Sequence, residues 1–338
     1  MSKRVLIFRQ GSLGDTLVAL PCFYLIKKAF PDAERKMLTN LPINQKACAS
    51  EMVLEGTDLV DGYLTYPPDV SLIKKFFIFR QLLKEWMPDI FIYLIESPSY
   101  IHAWRDFLFL KLCGIKKIMG LSLWKDLKNP IFLIEKKQYQ YEGERLLERL
   151  AVLGKIDIAD PYNRDMQLTQ EEKASVEPYF ESWMKDKPFF VCSVGTKVLI
   201  KDWGQENWLM LMEKMHEAFP AWGMVFIGVT SESDRSCEAL AKWQGSAINL
   251  CGKLSVRQSA VLLQKATLFI GHDSGPMHLA AAQNVPCVAL FGLHNKPGVW
   301  FAYGEHHEVI YAGQKGVLSI TVEEVMAAID RALARQRK

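Results

Sequence analysis

No two cysteines of this 338-residue sequence are spaced as C-x-x-C, and the seven present, Cys22, Cys48, Cys113, Cys192, Cys237, Cys251 and Cys287, are odd in number and widely scattered. That excludes a disulfide framework or a zinc ribbon and leaves most of them to be read as small buried hydrophobes. Nor does any apolar run approach the ~20 residues of a membrane-spanning helix, because Lys or Arg interrupts the richest stretches every few positions. The amino terminus, Met1-Ser2-Lys3-Arg4, passes straight into Val5-Leu6-Ile7-Phe8 without a signal-peptide core or cleavage site. A cytoplasmic protein is expected, with peripheral membrane contact at most. A large charge of one sign is also lacking: a net charge of +3 offers no strongly basic face, and no nucleic-acid partner is expected.

What is present is an ordinary globular composition, 49% hydrophobic and 23% charged, in a chain longer than one usual domain. Two domains, each with its own core, are expected. Short apolar runs alternate with amphipathic stretches. A strand near 4–9 leads into a helical pattern that runs through Ala29 and ends at Pro31. Strands around 36–39, 89–94 and 116–120 follow, separated by helical stretches at 70–86 and 100–112. After a helix over 142–154, the polar segment 155–163 with Pro161 reads as a linker, which divides the chain into residues 1–158 and 159–338. The second half repeats the grammar, with strands near 189–194, 224–228, 247–250, 268–271 and 288–291 and helices over 206–219 and 233–243. A closing helix over 321–336, capped by Thr321 with Glu324 three residues on, is placed where it can pack back on the first domain. The fold class predicted is α/β, with two doubly wound Rossmann-like domains facing a central cleft. Such sheets bind ligands beyond the carboxyl ends of their strands.

Three motifs fall at those strand ends. Arg9-Gln10-Gly11-Ser12-Leu13-Gly14-Asp15-Thr16 joins the first strand to the first helix. Gly11 and Gly14 allow close backbone approach, Ser12 and Leu13 complete an acceptor-side loop, and Asp15 is placed to take a proton from an acceptor hydroxyl. The same carboxylate also fits a plain helix cap. The turn lacks the full G-x-G-x-x-G pattern, so a dehydrogenase is not supported.

In the second half, Ser193-Val194-Gly195-Thr196 leads to Lys201-Asp202-Trp203-Gly204 at a helix start. The Thr196 hydroxyl and Lys201 ammonium suit a diphosphate leaving group, Lys197 is a second cation for it, and Trp203 and Trp208 read as packing. A lysine in such a place also reads as a solvated residue. In His272-Asp273-Ser274-Gly275-Pro276-Met277-His278, Ser274 caps, Gly275 gives access and Pro276 fits the first helical turn, leaving N–H groups for an anion. Asp273 is placed to grip sugar hydroxyls. The alternative is an ordinary strand-helix turn with His278 in the core. Glu232 reads as a ribose contact or a helix-start charge, and His294 and Lys296 as phosphate or nucleotide contacts or as ordinary exposed loop residues.

Together, the GSLGD turn, the KDW segment and the HDSGPMHLAAA turn resemble the motif set of glycosyltransferase family nine, the ADP-heptose:lipopolysaccharide heptosyltransferases, over nearly the whole chain. The resemblance implies the GT-B fold, inversion at the anomeric carbon, and neither metal nor other cofactor. By that resemblance Asp15 matches the general base, and Thr196 and Lys201 match positions that contact the donor diphosphate. Asp273, Ser274, Gly275 and His278 fall on the donor-binding turn, and Glu232 is similar to an acidic ribose-binding position. No D-x-D carboxylate pair occurs, which agrees with metal-free chemistry. Two departures bear on the donor: Gly204 follows Trp203 where the family usually has proline, and His294-Asn295-Lys296 replaces a Thr-Asp-type loop.

The reaction so implied moves a sugar, expected to be heptose from ADP-heptose, to a hydroxyl of a lipopolysaccharide-core or other glycan acceptor. Asp15 deprotonates that hydroxyl, and Lys201, Thr196 and the turn from Asp273 to Met277 stabilise the leaving diphosphate. The alternatives are a same-fold transferase with another nucleotide sugar or acceptor, and a non-catalytic sugar-nucleotide-binding protein. Residues 70–128 carry ten Lys or Arg against five Asp or Glu, including Lys74, Lys75, Arg80, Arg105, Lys116, Lys117 and Lys125. That stretch reads either as a solvated face or as a basic, aromatic-rich face for an anionic glycolipid at the cytoplasmic side of the inner membrane.

Overall fold

Val5, Leu6 and Ile7 have no exposed surface, as expected of a strand covered on both faces, and the first sheet is built around them. The computed structural model describes residues 2–40, 50–67, 70–95, 99–123, 129–293 and 295–336, which fall into two compact units, Met1–Gln167 and Leu168–Lys338. In the first, β1 (Arg4–Phe8), β2 (Glu34–Asn40), β3 (Gly62–Tyr66), β4 (Ile90–Tyr93) and β5 (Lys117–Met119) form a parallel sheet in the order β3-β2-β1-β4-β5. A small antiparallel hairpin, β6 (Phe132–Leu133) with β7 (Gln138–Tyr139), comes next. The single helix expected up to Ala29 is two, Leu13–Val18 and Leu20–Ala29. Pro21 accounts for the break, since it has no N–H for the helical ladder and its ring crowds the preceding turn.

The second unit contains β8 (Phe189–Ser193), β9 (Gly223–Phe226), β10 (Ala247–Asn249), β11 (Leu268–His272), β12 (Cys287–Phe291) and β13 (Glu308–Tyr311). Their order, β10-β9-β8-β11-β12-β13, is the full doubly wound arrangement, all parallel. Trp203, Trp208 and Trp243 are wholly buried in its core. The closing helix spans Val322–Gln336 and carries the expected capping box. Thr321 N–H donates to Glu324 Oε2 at 2.7 Å and Glu324 N–H donates back to Thr321 Oγ1 at 3.2 Å. Its apolar stripe, Val325, Ala328, Ile329, Ala332 and Leu333, is taken up by the core of its own unit.

The boundary between the units falls later than composition suggests. Residues 155–163 have a linker's sequence, yet the chain from Tyr162 to Gln167 is tied to the first unit. The Tyr162 and Tyr24 rings are 5.3 Å apart, Tyr24 O–H donates to the Asp165 carbonyl at 2.9 Å, and Gln167 donates to Asp58 at 2.7 Å. Two aromatic rings and an amide thus hold the segment against the helix Leu20–Ala29 and its neighbours.

Each sheet reverses its winding between two adjacent strands, β1 and β4 in the first unit and β8 and β11 in the second. The three motifs come after β1, β8 and β11, at the carboxyl ends where these switch points open. Arg149 braces the first of these regions, donating to the carbonyls of Gly120 (2.7 Å) and Tyr93 (3.1 Å). Burial, helped by neighbouring Arg145, lowers the Arg149 pKa to about 10. Glu142 opposes that shift, and grips Arg145 in a buried two-point pair of 2.7 and 2.6 Å. Replacing Glu142 by Gln leaves two guanidinium groups poorly compensated and is expected to cost roughly 3 kcal/mol, read as a lower urea midpoint at unchanged slope. A cost below about 0.5 kcal/mol would show that the pair contributes no more than an ordinary surface substitution.

Candidate functional site

After β1 the chain turns into the helix Leu13–Val18 over Arg9–Ser12. Gly11 has φ +132°, and a Cβ there would lie 2.5 Å from Cβ and Cγ of Asp15. This close approach folds the Asp15 carboxylate back over the turn, where Oδ2 accepts from Ser12 N–H (2.8 Å) and Ser12 O–H (3.0 Å). Oδ1 keeps a longer contact, 3.6 Å, to Arg9 Nη2, and the side chain remains 33% exposed. Asp15 therefore caps its helix and still presents one carboxylate oxygen. Arg9 is buried beneath it, donating to the carbonyls of Leu94 (2.6 Å) and Asp15 (3.0 Å) and so fixing the turn to the end of β4. Leu13 and Gly14 are buried in the first helical turn.

In the second unit, residues 72 positions apart meet. Lys201 Nζ donates to Asp273 Oδ2 at 2.6 Å, with the two side chains only 15% and 8% exposed. The same oxygen accepts from Asn295 Nδ2 at 2.6 Å. The meeting is a result of topology, because β8 and β11 are hydrogen-bonded neighbours and the loops leaving them share one edge. Ser274 is extended, at φ −150°, and opens the helix Gly275–Ala282. Its hydroxyl is buried without a partner among the described residues. Pro276 has no N–H, which leaves the N–H groups of Ser274 and Gly275 as the donors of this helix start. Met277 and His278 are buried, the His278 ring 6.1 Å from that of Trp300.

Behind this cluster His272, the last residue of β11, is fully buried and accepts the Trp203 N–H on Nε2 at 2.9 Å. The ring is therefore neutral, with its proton on Nδ1 directed at the Gly195 backbone without closing a hydrogen bond among the described residues. Burial pushes its pKa down to about 4. Asp202, between Lys201 and Trp203, forms a two-point pair with Arg235 (2.7 and 3.1 Å) and accepts Gly204 N–H at 2.9 Å. Burial raises its pKa, but the bonds from Arg235 and Gly204 outweigh it and leave Asp202 below the usual carboxylate range. Gly204 has φ +90°, closed to proline, and uses an N–H that proline lacks.

Glu232 lies across the ends of β8 and β9. Its Oε2 accepts Val229 N–H at 3.0 Å, and a Cβ at Gly195 or Gly228 would come within 1.8 or 2.2 Å of its carboxylate oxygens. Among the described residues the Thr196 hydroxyl has only marginal contacts to Val198, 3.4 and 3.5 Å, and Lys197 is exposed on the same loop. Lys296 is exposed, while His294 lies outside the described residues, as does Lys125 of the basic stretch.

The structure thus joins Lys201, Asp273 and Asn295, sets Glu232 on two glycines, and holds Asp15 within the other unit. Sequence reasoning gave no role to Arg9, His272, Asn295 or Arg235. Arg9 and His272 carried a signal, a polar side chain ending a buried apolar strand; the pairing of Arg235 with Asp202 carried none.

His272 titrates near 6.5 in an unfolded chain and near 4 when folded, so the unfolded chain takes the proton first as pH falls. Its contribution is fully present above about pH 6.5, declines between 6.5 and 4, and is level below 4. Between neutral pH and about pH 5 the protein is expected to lose roughly 2 kcal/mol through this group, a loss that His272→Gln should remove. Parallel stability curves for the two proteins would sink that assignment.

The sequence model of glycosyltransferase family 9 (heptosyltransferase) matches residues 114–323. Lipopolysaccharide heptosyltransferase 3 of Escherichia coli is 22% identical over 368 residues, covering 95% of this chain and 96% of that protein. Among solved structures, the glycosyl transferase family 9 protein of Veillonella parvula superposes with a TM-score of 0.74 at 19% identity, over 99% of this chain and 98% of its own. E. coli heptosyltransferase WaaC, solved with ADP, gives 0.64 at 18% identity, over 98% and 99%. These likenesses identify the fold as the GT-B type with two Rossmann-like units. With more than half of its length matched by the family's model, the chain belongs to glycosyltransferase family 9, the heptosyltransferase family.

Proposed function

We propose that the chain is an inverting heptosyltransferase that moves heptose from ADP-heptose to a hydroxyl of a lipopolysaccharide-core glycan, with Asp15 as general base and Lys201 serving the leaving diphosphate. The observation that carries the reading is the Lys201–Asp273–Asn295 cluster, set immediately before the helix Gly275–Ala282. An ammonium has three N–H donors, and among the described residues only Asp273 takes one, so Lys201 keeps two for phosphate oxygens. The N–H groups of Ser274 and Gly275 and the unpartnered Ser274 hydroxyl add donors at the positive end of the helix. Asp273 Oδ2 is occupied, leaving Oδ1 for sugar hydroxyls. Thr196 and Lys197 are further contacts for the diphosphate, Glu232 for the ribose, and Met277 and His278 support the turn from inside.

The acceptor hydroxyl gives its proton to Asp15, and its oxygen bonds to the anomeric carbon on the face opposite the diphosphate. The bond from that carbon to the phosphate oxygen breaks, and ADP departs with the electron pair. Lys201 and the helix start carry the charge that develops there, a task a divalent cation performs in other transferases, so the reading needs no metal. The relative from E. coli is named for lipopolysaccharide heptosyl transfer and the WaaC structure holds ADP, which together support this donor and acceptor class.

Gly204 and Asn295 depart from the family's usual residues on the donor side, which favours another nucleotide sugar as the second reading. A thermal-shift panel of ADP, UDP, GDP and their sugars separates the two, because a ligand stabilises the folded state it binds. ADP and ADP-heptose should raise the melting temperature; stabilisation by a uridine or guanosine compound alone would select the second reading. In a transfer assay, Asp15→Asn should lose about a hundredfold or more in kcat with the ADP shift unchanged. Gly11→Ala should behave likewise, because the added Cβ displaces the same carboxylate. Lys201→Met should lose both turnover and the ADP shift. Near-normal transfer by the Asp15 variant would remove the base assignment, and donor binding without turnover on any acceptor would point to a binding protein.

A further inference from the structure

The helices Leu72–Trp86 and Tyr100–Leu112 connect β3 to β4 and β4 to β5, stepping across the sheet in one direction, so right-handed crossovers set both on the same face. They pack side by side: the Phe109 ring is 5.5 Å from Phe76 and 5.6 Å from Phe79. Inward positions such as Phe79, Leu83, Ala103 and Leu110 are buried, as an amphipathic pair requires. The outward positions do not complete that pattern. Ile73 and Phe77, one turn apart, are 72% and 62% exposed, and Ile101, Leu108 and Leu112, at helical spacing on the second helix, are 80%, 56% and 72% exposed. A helix with large apolar residues on both faces is normally covered on both.

Among these side chains stand exposed cations: Lys74, Arg80 and Lys84 on the first helix, Arg105 and Lys111 on the second. The acids of the two helices are fewer and engaged. Glu85 accepts from Gln81 at 2.9 Å, and Asp106 is held by Tyr93 O–H (2.7 Å) and Arg105 (2.7 Å). Branched and aromatic apolar side chains ringed by long cationic ones match the two layers of a bilayer surface. The apolar groups enter the acyl boundary while Lys and Arg stems reach back to anionic headgroups.

We infer that the outward face of the helices Leu72–Trp86 and Tyr100–Leu112 is a docking surface for an anionic lipid bilayer. A protein partner would be expected to meet such a face with acidic residues, and a second copy would bring cations against cations. The inference goes beyond sugar transfer and does not depend on it, since its readout is binding alone.

The full-length chain would be sedimented with vesicles of phosphatidylcholine alone and with vesicles containing phosphatidylglycerol. Binding is expected only with the anionic vesicles and should weaken as salt is raised. Each lost cation should cost about fivefold in partition, so Lys74→Glu with Lys84→Glu should lose more than about tenfold, while Lys253→Glu in the second unit should lose little. Ile101→Ser with Leu108→Ser should leave a weaker association that high salt abolishes. These positions are exposed, so melting temperatures should be unchanged. Equal binding to both kinds of vesicle, no binding to either, or variants that bind like the parent would each overturn the inference. So would a dimer in sedimentation velocity that the Ile101/Leu108 variant converts to monomer, since a second copy would then be what covers the face.

Discussion

One carboxylate oxygen, Oδ2 of Asp273, receives both an ammonium from the loop after β8 and an amide from the loop after β12. Three connections are thereby drawn to a single point just beyond the sheet's switch. The pair is largely desolvated, and a desolvated ion pair is weak as a source of stability but expensive to break on one side only. Its effect is to select one arrangement of these loops. His272 acts on the same arrangement from inside the sheet, because its ring accepts the Trp203 N–H two residues after Lys201. The parallel register of β8 with β11 sets the span over which ring and carboxylate act.

The first unit uses the same strand-turn-helix geometry with its charges exchanged. There the buried member is the cation, Arg9, and the carboxylate of Asp15 lies nearer to solvent. A guanidinium can sit under the turn because its several donors reach carbonyls at fixed angles, here those of Leu94 and Asp15. The carboxylate above it is hydrogen-bonded to Ser12 through one oxygen and keeps with the other a 3.6 Å contact to Arg9. Helix capping thus uses one oxygen of this residue and does not consume the other.

The winding of both units was legible because β1, β4, β8, β11 and β12 are short runs of buried apolar residues between turns. Among the edge strands of the two parallel sheets, β5 and β10 were read, whereas β3 and β13 were not, because they mix polar with aromatic residues and carry no comparable run. The break at Pro21 was readable in principle, since it lies inside a helical pattern, but the apolar period on both sides masked it. Residues 155–163 misled for the opposite reason, because a linker-like composition is held by contacts from Tyr162 and Gln167 that no local pattern reveals. In the motifs the residue types were readable and the pairings were not. Lys201 and Asp273 each read as a contact to a ligand, but nothing in the sequence showed that they also pair with one another, and Asn295 gains significance only when folding brings it to the same oxygen.

Glu232 wedged between Gly195 and Gly228 has a consequence for how such a protein could change. No side chain can enter at either glycine while the carboxylate is there, since even one carbon would overlap it. Because the overlapping atoms are the far end of a flexible side chain, a side chain acquired at either strand end would turn the Glu232 carboxylate aside. The acidic group would survive such a change but leave its place between the two strand ends, so a single methyl at either glycine moves a charge without removing one.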